Sequence, residues 1–366
     1  METTLEKFMG IDLHTNRFNY FLIDERGNTE SKGFEINDHS IEQFFNHIDK
    51  NTYVMIESST NSFKFYDLIK DHVKGAILAN PRQLNLISFT DKKTDRIDAE
   101  KLARYLKMQL KAGEQLTEPV YVPEQRIRDL RSLLTSHRLL NRQITQVKNR
   151  IHALLKQNLI PTKRNFLSSK RCIAEIFLLP LDQPIRFQIQ LLLDQLNHLE
   201  DVKQKIEVQT KISGSQYFKQ IDILTSITGV SVFMAIALIS DIADICRFAN
   251  AKKLTSYLRS APRVDSSNET VKIKGISKCG RKQSIMLLAQ SCHHFSRANP
   301  RLNRLYNKYH GKKKASTVRM AILRNVIVEI FHMLNKNEYH WYRNEKTHLY
   351  KKNEYIRFLK SHDIFI

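Results

Sequence analysis

Two long apolar stripes with helical spacing in the middle of the chain constrain the fold more than any other feature of the sequence. The first stripe advances by three or four residues at each step through Leu133, His137, Leu140, Ile144, Val147, Ile151 and Leu154. The second advances in the same way through Ile185, Ile189, Leu192, Leu196, Leu199, Val202 and Ile206. This spacing predicts two long helices, each with a coiled-coil seam. The two seams would cover each other in an antiparallel hairpin, or each would need a partner in a second copy of the chain.

Residues 1–110 follow a different pattern, in which short apolar runs are separated by polar turns. The runs predict strands at residues 8–13, 18–23, 29–35, 53–56 and 76–79, and helices at 40–48, 63–73 and 96–108. Three hairpin strands followed by alternating helix and strand predict an α/β layer fold of the ribonuclease H type. Glycine and proline residues between 111 and 123 predict a linker. From residue 221 onwards the pattern is again helical, apart from an extended polar stretch between 263 and 278.

The charge of the chain is distributed unevenly. Residues 1–100 carry 12 Lys and Arg against 17 Asp and Glu, whereas the whole 366-residue chain carries 59 against 37, a net charge of +22. The net charge therefore changes from −5 in the first hundred residues to +27 in the rest. Such a basic protein usually binds a polyanion, and nucleic acid is the leading candidate. A DNA-cutting enzyme with a carboxylate-rich metal centre beside a basic surface would have this asymmetry.

Composition and segment lengths also limit the class of protein. Hydrophobic residues make up 42% of the chain, which is enough for packed cores and excludes general disorder. The four cysteines form no C-x-x-C pair, so neither a zinc ribbon nor a disulfide scaffold is expected. The longest apolar run, at 230–239, is about half as long as a membrane span, and the N-terminus has no signal-peptide pattern. We therefore expect a cytoplasmic protein with no membrane partner.

Four carboxylates are the candidate metal ligands. Asp12 and Glu57 each close an apolar strand, and strand ends place such side chains on one rim of the sheet. Asp95 and Asp98 are three residues apart and share one face of the helix that they begin. Such a cluster suits Mg²⁺, which prefers carboxylate oxygens, and two such ions can promote phosphodiester cleavage. Taken singly, each acid would be assigned to a solvated loop, but the two acids that close apolar strands favour a metal site.

Residues 221–245 contain two helical segments joined by the turn Thr228-Gly229-Val230-Ser231. A hydrophobic-Gly-hydrophobic turn between helices is the helix-hairpin-helix pattern, whose backbone N–H groups bind a phosphate without reading the base sequence. Ser231 stands where a second glycine is usual, so the match is partial, and an ordinary packed helical hairpin is an equal alternative. Gly229 is accordingly a candidate nucleic-acid-binding residue.

A polar loop carries two adjacent serines, Ser266 and Ser267, among cations. The cations that could neutralise a phosphate there are Arg263, Lys272, Lys274 and Lys278. A serine can attack phosphorus if a neighbouring group takes its proton and cations hold the phosphate. Spacing alone supports this role weakly, because most Ser-Ser-Asn segments are simple turns. Cys292, His293 and His294 have no second ligand pair at a suitable spacing, so no metal is expected there.

Taken in order, several of these segments resemble the DEDD-type transposases of bacterial insertion-sequence family one hundred and ten, which are described as bridge-RNA-guided recombinases and are related to pilin-gene invertases. The matching segments are Gly10-Ile11-Asp12, Ile56-Glu57-Ser58-Ser59-Thr60, Asn80-Pro81, Lys93-Thr94-Asp95-Arg96-Ile97-Asp98-Ala99, Thr228-Gly229-Val230, Pro262-Arg263, Ser266-Ser267, Gly275-Ile276-Ser277-Lys278 and Gly311-Lys312-Lys313-Lys314-Ala315. The sequence departs from the family pattern at His14 and Asn16, where Ser-Lys is frequent, at Ser231, and at Asn268, where glycine is usual.

The resemblance implies an N-terminal RuvC-like domain whose DEDD metal centre consists of Asp12, Glu57, Asp95 and Asp98 with Mg²⁺. It implies a helical C-terminal transposase domain in which Ser267 is the nucleophile, with Ser266 still possible. It also implies donor and target DNA, a noncoding guide RNA and a homo-oligomer, dimer or tetramer, whose site could combine groups from different protomers. The protein would then be bacterial, cytoplasmic and nucleoid-associated.

The expected fold class is therefore α/β followed by all-α. Residues 1–110 would form the RuvC-like metal domain, 111–215 the linker and coiled-coil helices, 216–340 the transposase domain with the helix-hairpin-helix and the serine loop, and 341–366 a basic tail. The expected function is DNA recombination or transposition by a mobile element, with a transient phosphoserine link. The alternatives are a RuvC-like Holliday-junction nuclease without a covalent step, a site-specific DNA invertase, and a DNA- or RNA-binding protein without activity. The basic helix at 124–158 is a candidate RNA surface.

Overall fold

The structure, a computed structural model, describes residues 5–87, 95–113, 118–163, 166–168, 175–176, 178–267, 270–276 and 280–365, and for 85–87, 168, 263–267 and 270–274 the description covers the backbone alone. The chain divides into two compact units, Met1–Pro123 and Glu124–Ile366. This division coincides with the change from strand-like to long helical patterns in the sequence.

The first unit is built on a five-stranded sheet with helices against both faces. Its elements are β1 (Lys7–Leu13), β2 (Arg17–Asp24), β3 (Thr29–Glu35), α1 (Asp38–Phe45), β4 (Thr52–Glu57), α2 (Ser62–Ile69), β5 (Gly75–Ala79), α3 (Pro81–Ile87) and α4 (Asp95–Ala112). The strand order in the sheet is β3-β2-β1-β4-β5. Strands β3, β2 and β1 are antiparallel neighbours, whereas β4 is parallel to both β1 and β5. All five predicted strands are confirmed, each to within one residue at either end.

Alternation of side chains along the strands divides the first unit between two cores. Ile11 of β1 and Ile56 of β4 belong to the core beneath α1 and α2. Phe8 of β1 and Met55 of β4 belong to the opposite core, which α4 covers. Residues of β1 with even numbers and residues of β4 with odd numbers therefore face α4.

Two segments beside the sheet differ from the sequence-based predictions. The helix α3 begins at Pro81 directly after β5, where the sequence predicts only the end of a strand. Proline suits this position because the first turn of a helix has no acceptor for its missing N–H. The second half of the predicted linker belongs to the first unit. There the Val120 N–H donates to Leu78 O at 2.7 Å, and Val122 packs against the core beneath α1 and α2.

Among its described residues, the second unit is helical apart from one two-stranded sheet. Its elements are α5 (Gln125–Gln157), α6 (Gln183–Gly214), α7 (Phe218–Thr225), α8 (Val232–Ile242), α9 (Ala251–Tyr257), β6 (Pro262–Ser267), β7 (Thr270–Ile276), α10 (Gln283–Gln290), α11 (Cys292–Ala298), α12 (Pro300–Tyr309), α13 (Ala315–Lys336) and α14 (Glu345–Lys360). Short 3-10 turns at Phe166–Ser168 and Ser215–Tyr217 complete the described elements. The two long helices predicted from the apolar stripes are α5 and α6.

The seams of α5 and α6 pack against each other within one chain. His137 Nε2 of α5 lies 2.8 Å from Glu207 Oε1 of α6, and Lys148 Nζ lies 2.9 Å from Glu200 Oε1. Since partners on α6 move back along the chain as positions on α5 advance, the pair is antiparallel. The buried apolar residues that the two helices share in one cluster are Ile144, Val147, Ile151, Leu154, Leu155, Ile189, Leu193 and Leu196. Of the two predicted pairings, the structure therefore has the antiparallel hairpin.

The buried positions of the hairpin differ in detail from the predicted stripes. Leu134 is buried where the first stripe predicts Leu133, and on α6 Leu193 is buried whereas Leu192 lies at the edge of the cluster. His137, the polar member of the first stripe, is buried, and its hydrogen bond to Glu207 satisfies one of its ring nitrogens.

The other helices of the second unit enclose a separate core. The start of α5 enters this core through Ile127 and Leu130, together with α7, α8, α10 and α13. The residues after Trp341, whose structure the sequence does not predict, form α14, which is anchored by the buried Tyr355 and Leu359. In the part of the chain that the structure describes, no helix is both long and apolar enough to cross a membrane.

Candidate functional site

Asp12 occupies the face of the sheet that α4 covers. It lies at the end of β1 on the same side as Phe8, and its partner on the neighbouring strand β2 is Asn19. The carboxyl end of the parallel strand β4 comes directly beside it, because Ile11 pairs with Ile56 and each acid is the next residue. Glu57 therefore ends the strand next to Asp12, on the same edge and the same face of the sheet.

The helix α4 brings the other two acids to this edge. Asp95 and Asp98 lie in its first turn, where carboxylates also interact favourably with the helix dipole. The helix approaches β1 closely because Gly10 has no side chain. A Cβ at that position would overlap the backbone O of Ala99 and lie 2.5 Å from the backbone N of Ala103. The glycine therefore sets the distance between the first turn of α4 and the end of β1.

The acids meet around a histidine. His14 Nε2 lies 3.2 Å from Asp12 Oδ2 and 3.4 Å from Asp95 Oδ1. One possible ligand atom from each of the three residues falls within 4.8 Å of the other two. Asp95 also accepts a hydrogen bond from Arg17 Nη2 at 2.6 Å and one from Asn19 Nδ2 at 3.5 Å. Two carboxylates and an imidazole thus converge at the end of β1.

Burial and like charges both act on Asp12. Its side chain is only 13% exposed, and this burial raises the pKa of its carboxyl group above the usual value. The nearby His14 lowers the pKa of Asp12, whereas the charges of Asp95 and Asp98 raise it further. A cation bound among these carboxylates would relieve their repulsion and favour the ionised form of Asp12.

The structure brings the four predicted acids to one edge of the sheet, but Asp98 and Glu57 lie outside the group that His14 forms with Asp12 and Asp95. Asp98 lies one turn further along α4 and pairs with Lys101 Nζ at 3.4 Å. Glu57 is half-buried at the end of β4, and neither acid belongs to the group formed by Asp12, His14 and Asp95. Lys93 and Thr94, which carry part of the family motif before Asp95, lie outside the described residues.

Sequence reasoning missed His14, Arg17 and Asn19. His14 was noted only as a departure from the family pattern. Its backbone N–H donates to Arg17 O in the β1–β2 turn, and this turn directs the chain back past Asp12. Asn19 could have been found from the sequence, because a hairpin register that pairs Lys7 with Asp24 also pairs Asp12 with Asn19.

The donor set fits a divalent cation. Carboxylate oxygens are the ligands that Mg²⁺ and Mn²⁺ prefer, and an imidazole nitrogen is compatible with several transition metals. Asp12 and Asp95 supply the carboxylates, and His14 supplies the imidazole. Arg17 and Lys101 hold Asp95 and Asp98 from the outside of the group by ion pairs.

The two candidate serines lie in a β-hairpin of the second unit, not in a loop. Ser266 and Ser267 are the last two residues of β6, and Ser267 pairs with Thr270 of β7. The prediction of a loop is therefore wrong for these serines, because the polar stretch pairs with itself as two strands. The side chains of Ser267, Arg263, Lys272 and Lys274 are outside the description, and Lys278 lies outside the described residues altogether.

The turn that carries Gly229 joins α7 and α8 as the sequence predicts. Gly229 has a φ of +97°, in the left-handed region that favours glycine. Ser231 caps α8, since its side chain accepts a hydrogen bond from Met234 N at 3.2 Å. Lys351 of α14 donates to three carbonyls of this segment, at Thr225, Ile227 and Val230. The serine in place of the second glycine is therefore a helix cap.

Cys292, His293 and His294 form no metal site among the described residues. Cys292 is buried in the helical core, and this burial raises the pKa of its thiol. Gly229 packs against His294, whose Cβ would be 2.8 Å from an added Cβ on the glycine. Cys292 and His294 therefore pack in the core and against the Gly229 turn.

Two family models match the chain. One, described as Transposase IS116/IS110/IS902 family, matches residues 221–307, and the other, a transposase model for the DEDD type of the IS110 family, matches residues 9–160. Together they cover 239 of the 366 residues. Comparison with curated proteins gives no match. The first candidate site falls within the match at 9–160, and the hairpin with the Gly229 turn falls within the match at 221–307.

The matches agree with the chemistry of the two regions. A transposase is a DNA-cutting enzyme, and the DEDD type implies a divalent metal, which the group around Asp12 is able to bind. The mixed α/β first unit and the helical second unit agree with the fold expected from the motifs. On these grounds the chain belongs to the IS116/IS110/IS902 family of transposases, the family that its motifs resemble.

Proposed function

We propose that this transposase cuts and rejoins DNA of a mobile element with two sets of residues, a DEDD metal centre in the first unit and a nucleophilic serine in the second. The observation that carries the proposal is the group of Asp12, His14 and Asp95, whose ligand atoms lie within 4.8 Å of one another. These acids are brought together although like charges repel. Such an arrangement favours cation binding over a structural role.

The first unit is assigned to the ribonuclease H type of fold, as in RuvC-like nucleases. The support for this assignment is the strand order β3-β2-β1-β4-β5, with three antiparallel strands followed by two parallel ones. The assignment is also supported by the candidate acids at the ends of the neighbouring strands β1 and β4. The proposal also divides the chain into segments at residues 110, 215 and 340. It further includes a contact between the Gly229 turn, as a helix-hairpin-helix, and a DNA phosphate.

In the proposed metal centre, Mg²⁺ is held by Asp12, Glu57, Asp95 and Asp98. When bound, such ions make the attacking oxygen more nucleophilic and stabilise the leaving oxygen of a phosphodiester. The chain contributes the placement of the acids. The close approach at Gly10 keeps α4 against β1, and the hydrogen bond from Arg17 orients the carboxylate of Asp95.

Ser267 is the proposed nucleophile, on the strength of the family pattern. Its Oγ forms an ester bond to phosphorus while a bond from that phosphorus to a sugar oxygen breaks. The serine proton is taken up by a carboxylate and then passes to the released sugar oxygen, which becomes a hydroxyl group. One phosphate ester bond forms as one breaks, so their number is unchanged. Resealing therefore needs no external energy source. The cations proposed to neutralise the phosphate are Arg263, Lys272, Lys274 and Lys278.

The proposal also includes a noncoding guide RNA as a partner. The protein would act as a homo-oligomer, dimer or tetramer, at the nucleoid in the cytoplasm. The support for RNA binding is the positive charge of α5. Its basic residues outside the seam are Arg126, Arg128, Arg131, Arg138, Arg142, Lys148, Arg150 and Lys156. Such a surface attracts phosphates without reading the base sequence.

Covalent trapping tests the proposal. Full-length protein is incubated with Mg²⁺ and end-labelled DNA that carries the ends of the mobile element, and the products are separated on a denaturing gel. Wild type and Ser266→Ala should give a protein–DNA adduct, whereas Ser267→Ala should bind DNA without forming one. Asp12→Ala should give neither adduct nor cleavage.

The other outcomes assign other functions. An adduct with Ser267→Ala but not with Ser266→Ala would make the neighbouring serine the nucleophile. Cleavage by wild type without any adduct would identify a hydrolytic nuclease, such as one that resolves Holliday junctions. Inversion of the DNA between two sites, in place of its movement, would identify a site-specific invertase.

A further inference from the structure

A cavity of about 260 Å³ lies at the base of the β6–β7 hairpin. One wall is formed by Arg131 and Arg138 of α5, and another by the end of α8 with Asp241. The two chain segments that flank the hairpin, at Arg259 and at 280–283, close the cavity. Arg259 Nε donates to Gly280 O, and this hydrogen bond ties the two flanking segments together.

The cavity is strongly cationic. Five of its lining side chains are positively charged, and they are Arg131, Arg138, Arg259, Arg281 and Lys282. Among the described residues, Asp241 is the single carboxylate that lines it, and this carboxylate is fully buried. It accepts hydrogen bonds from Arg281 Nε at 2.6 Å and from Ser284 N at 2.9 Å, so its charge is already matched by Arg281. Four cations therefore face the cavity without a carboxylate partner among its lining residues.

Three of the cations, Arg131, Arg259 and Arg281, are held by hydrogen bonds within the protein. Arg131 Nε donates to Ser240 O at 2.7 Å, which holds the guanidinium against the end of α8. Gln283 Nε2 donates to Leu134 O at 3.1 Å and ties the start of α10 to α5. Burial lowers the pKa of Arg131, and the neighbouring charge of Arg281 lowers it further. Positive charges held together in this way repel each other, and an anion bound between them would recover that free energy.

Two of the cations are available to bind a ligand. The side chains of Arg138 and Lys282 have no hydrogen-bond or ion-pair partner among the described residues. A guanidinium offers two parallel N–H donors that match the oxygens of a phosphate, and an ammonium is a compact charge for the same group. The chemistry of the cavity therefore suits a phosphodiester.

We propose that this cavity binds backbone phosphates of DNA at the base of the serine hairpin. The inference rests on the proposed function, because it identifies the surface that holds DNA beside the strand with the proposed nucleophile. The strand β6 runs five steps from Pro262 to Ser267, so the proposed nucleophile lies at most about 17 Å from the base of the hairpin at about 3.3 Å per residue.

The test compares two matched double variants of the full-length protein. Arg138→Gln with Lys282→Gln removes the two cations that have no partner, and Lys336→Gln with Arg357→Gln removes one lysine and one arginine elsewhere in the same unit. Binding to duplex DNA and to single-stranded RNA is measured by fluorescence anisotropy between about 50 and 200 mM salt. Thermal melting of both double variants is recorded first, and each melting temperature should match wild type because the exchanged side chains are partly or fully exposed.

For the cavity variant, the slope of log K against log salt on DNA should fall by about 1.8, or about 0.9 for each lost phosphate contact. At about 0.15 M salt this corresponds to an approximately 30-fold weaker affinity. The loss should be equal for unrelated DNA sequences, because phosphates carry no sequence information. The control variant should keep the wild-type slope to within about 0.3.

Three results would overturn the inference: an unchanged slope in the cavity variant, an equal loss in the control variant, or a loss confined to RNA. None of these depends on catalysis. If wild type forms no covalent adduct, the proposed nucleophile fails, whereas the slopes still decide whether the cavity binds DNA.

Discussion

The acids of the two units are held in opposite ways. In the first unit Asp12 is largely but not fully buried beside Asp95 and Asp98, and burial and these charges raise its pKa against the opposing effect of His14. In the second unit Asp222 is also buried, and burial by itself would raise its pKa. Hydrogen bonds to Asp222 from Lys352 Nζ and Tyr339 Oη, both at 2.7 Å, nevertheless lower it below the usual value.

The difference separates a structural acid from a functional one. Asp222 has its own donors, including His348 Nε2 at 2.9 Å, and so it ties α14 and the segment before it to α7. Asp12 shares its surroundings with two other acids, and this repulsion weakens the fold unless a cation is bound. The burial of a carboxylate therefore does not indicate its role, whereas the charges of its neighbours do.

The largest effect should come from Asp12→Asn. Cutting of labelled DNA should fall by at least about 100-fold, since metal ions supply several kcal/mol of transition-state stabilisation and about 2.7 kcal/mol corresponds to that factor. Without metal, the variant should melt at or above the wild-type temperature, because one of the repelling charges is removed. Glu42→Gln, which removes an exposed carboxylate of α1, should cut normally. If Asp12→Asn cuts DNA at the wild-type rate, Asp12 is not a functional acid and does not differ in role from Asp222.

Asp222→Asn should act on stability and not on chemistry. We expect the free energy of unfolding to fall by about 3 kcal/mol, because Lys352 loses the charge that balances it and His348 loses its carboxylate partner. Denaturant titration measures the loss, and Asp194→Asn on the exposed side of α6 is the control. Cutting per folded molecule should be unchanged, and a specific loss of cutting would mean that Asp222 is more than a structural acid.

Gly10→Ala should affect both the fold and the metal site of the first unit. An added methyl group would meet the backbone of Ala99 and Ala103, so α4 must move away, at a cost of about 2 kcal/mol. The rise in melting temperature on adding Mg²⁺ should shrink together with cutting. Gly75→Ala in β5 is the matched control, since its nearest neighbour is the ring of Tyr53, a side chain that can shift. Equal losses in the two variants would show that the position of α4 is not important.

Acid pH should remove the contribution of Asp222. Its pKa in the folded protein lies below the ordinary value of 3.8, so the stabilisation is fully present above that value and is lost as the pH falls through the folded pKa. The difference in unfolding free energy between wild type and Asp222→Asn should therefore be constant from about pH 7 to about pH 5 and should decrease below about pH 4. A difference that stays constant down to about pH 2 would contradict this assignment.

The smallest effect should come from the surface pair of α5 and α6. Lys148 and Glu200 are both partly exposed, and removing either charge should cost only about 0.5 kcal/mol. A double-mutant cycle with Lys148→Gln and Glu200→Gln measures the interaction directly. A coupling free energy above about 2 kcal/mol would mean that the ion pair, and not the apolar seam, fixes the hairpin.

The elements of the fold were largely predictable because the spacing of apolar residues and the turn residues between elements are local properties of the sequence. All five strands of the sheet and both long helices of the hairpin followed from the spacing of apolar residues. The pairing of the two helices did not, because each stripe shows which face is buried and not what covers it. The helix α14 was missed for a related reason, since its buried Tyr355 and Leu359 are few and its basic residues dominate the pattern.

The candidate site was likewise predictable in part, in its residues but not in the distances between them. The apolar patterns around Asp12, Glu57, Asp95 and Asp98 were enough to predict acids at the ends of strands and at the start of a helix. The position of His14 between Asp12 and Asp95, and the place of Glu57 and Asp98 outside that group, could be seen only in the folded chain. Distances between side chains depend on register and on how closely α4 approaches the sheet, and these are set by contacts between residues far apart in the chain.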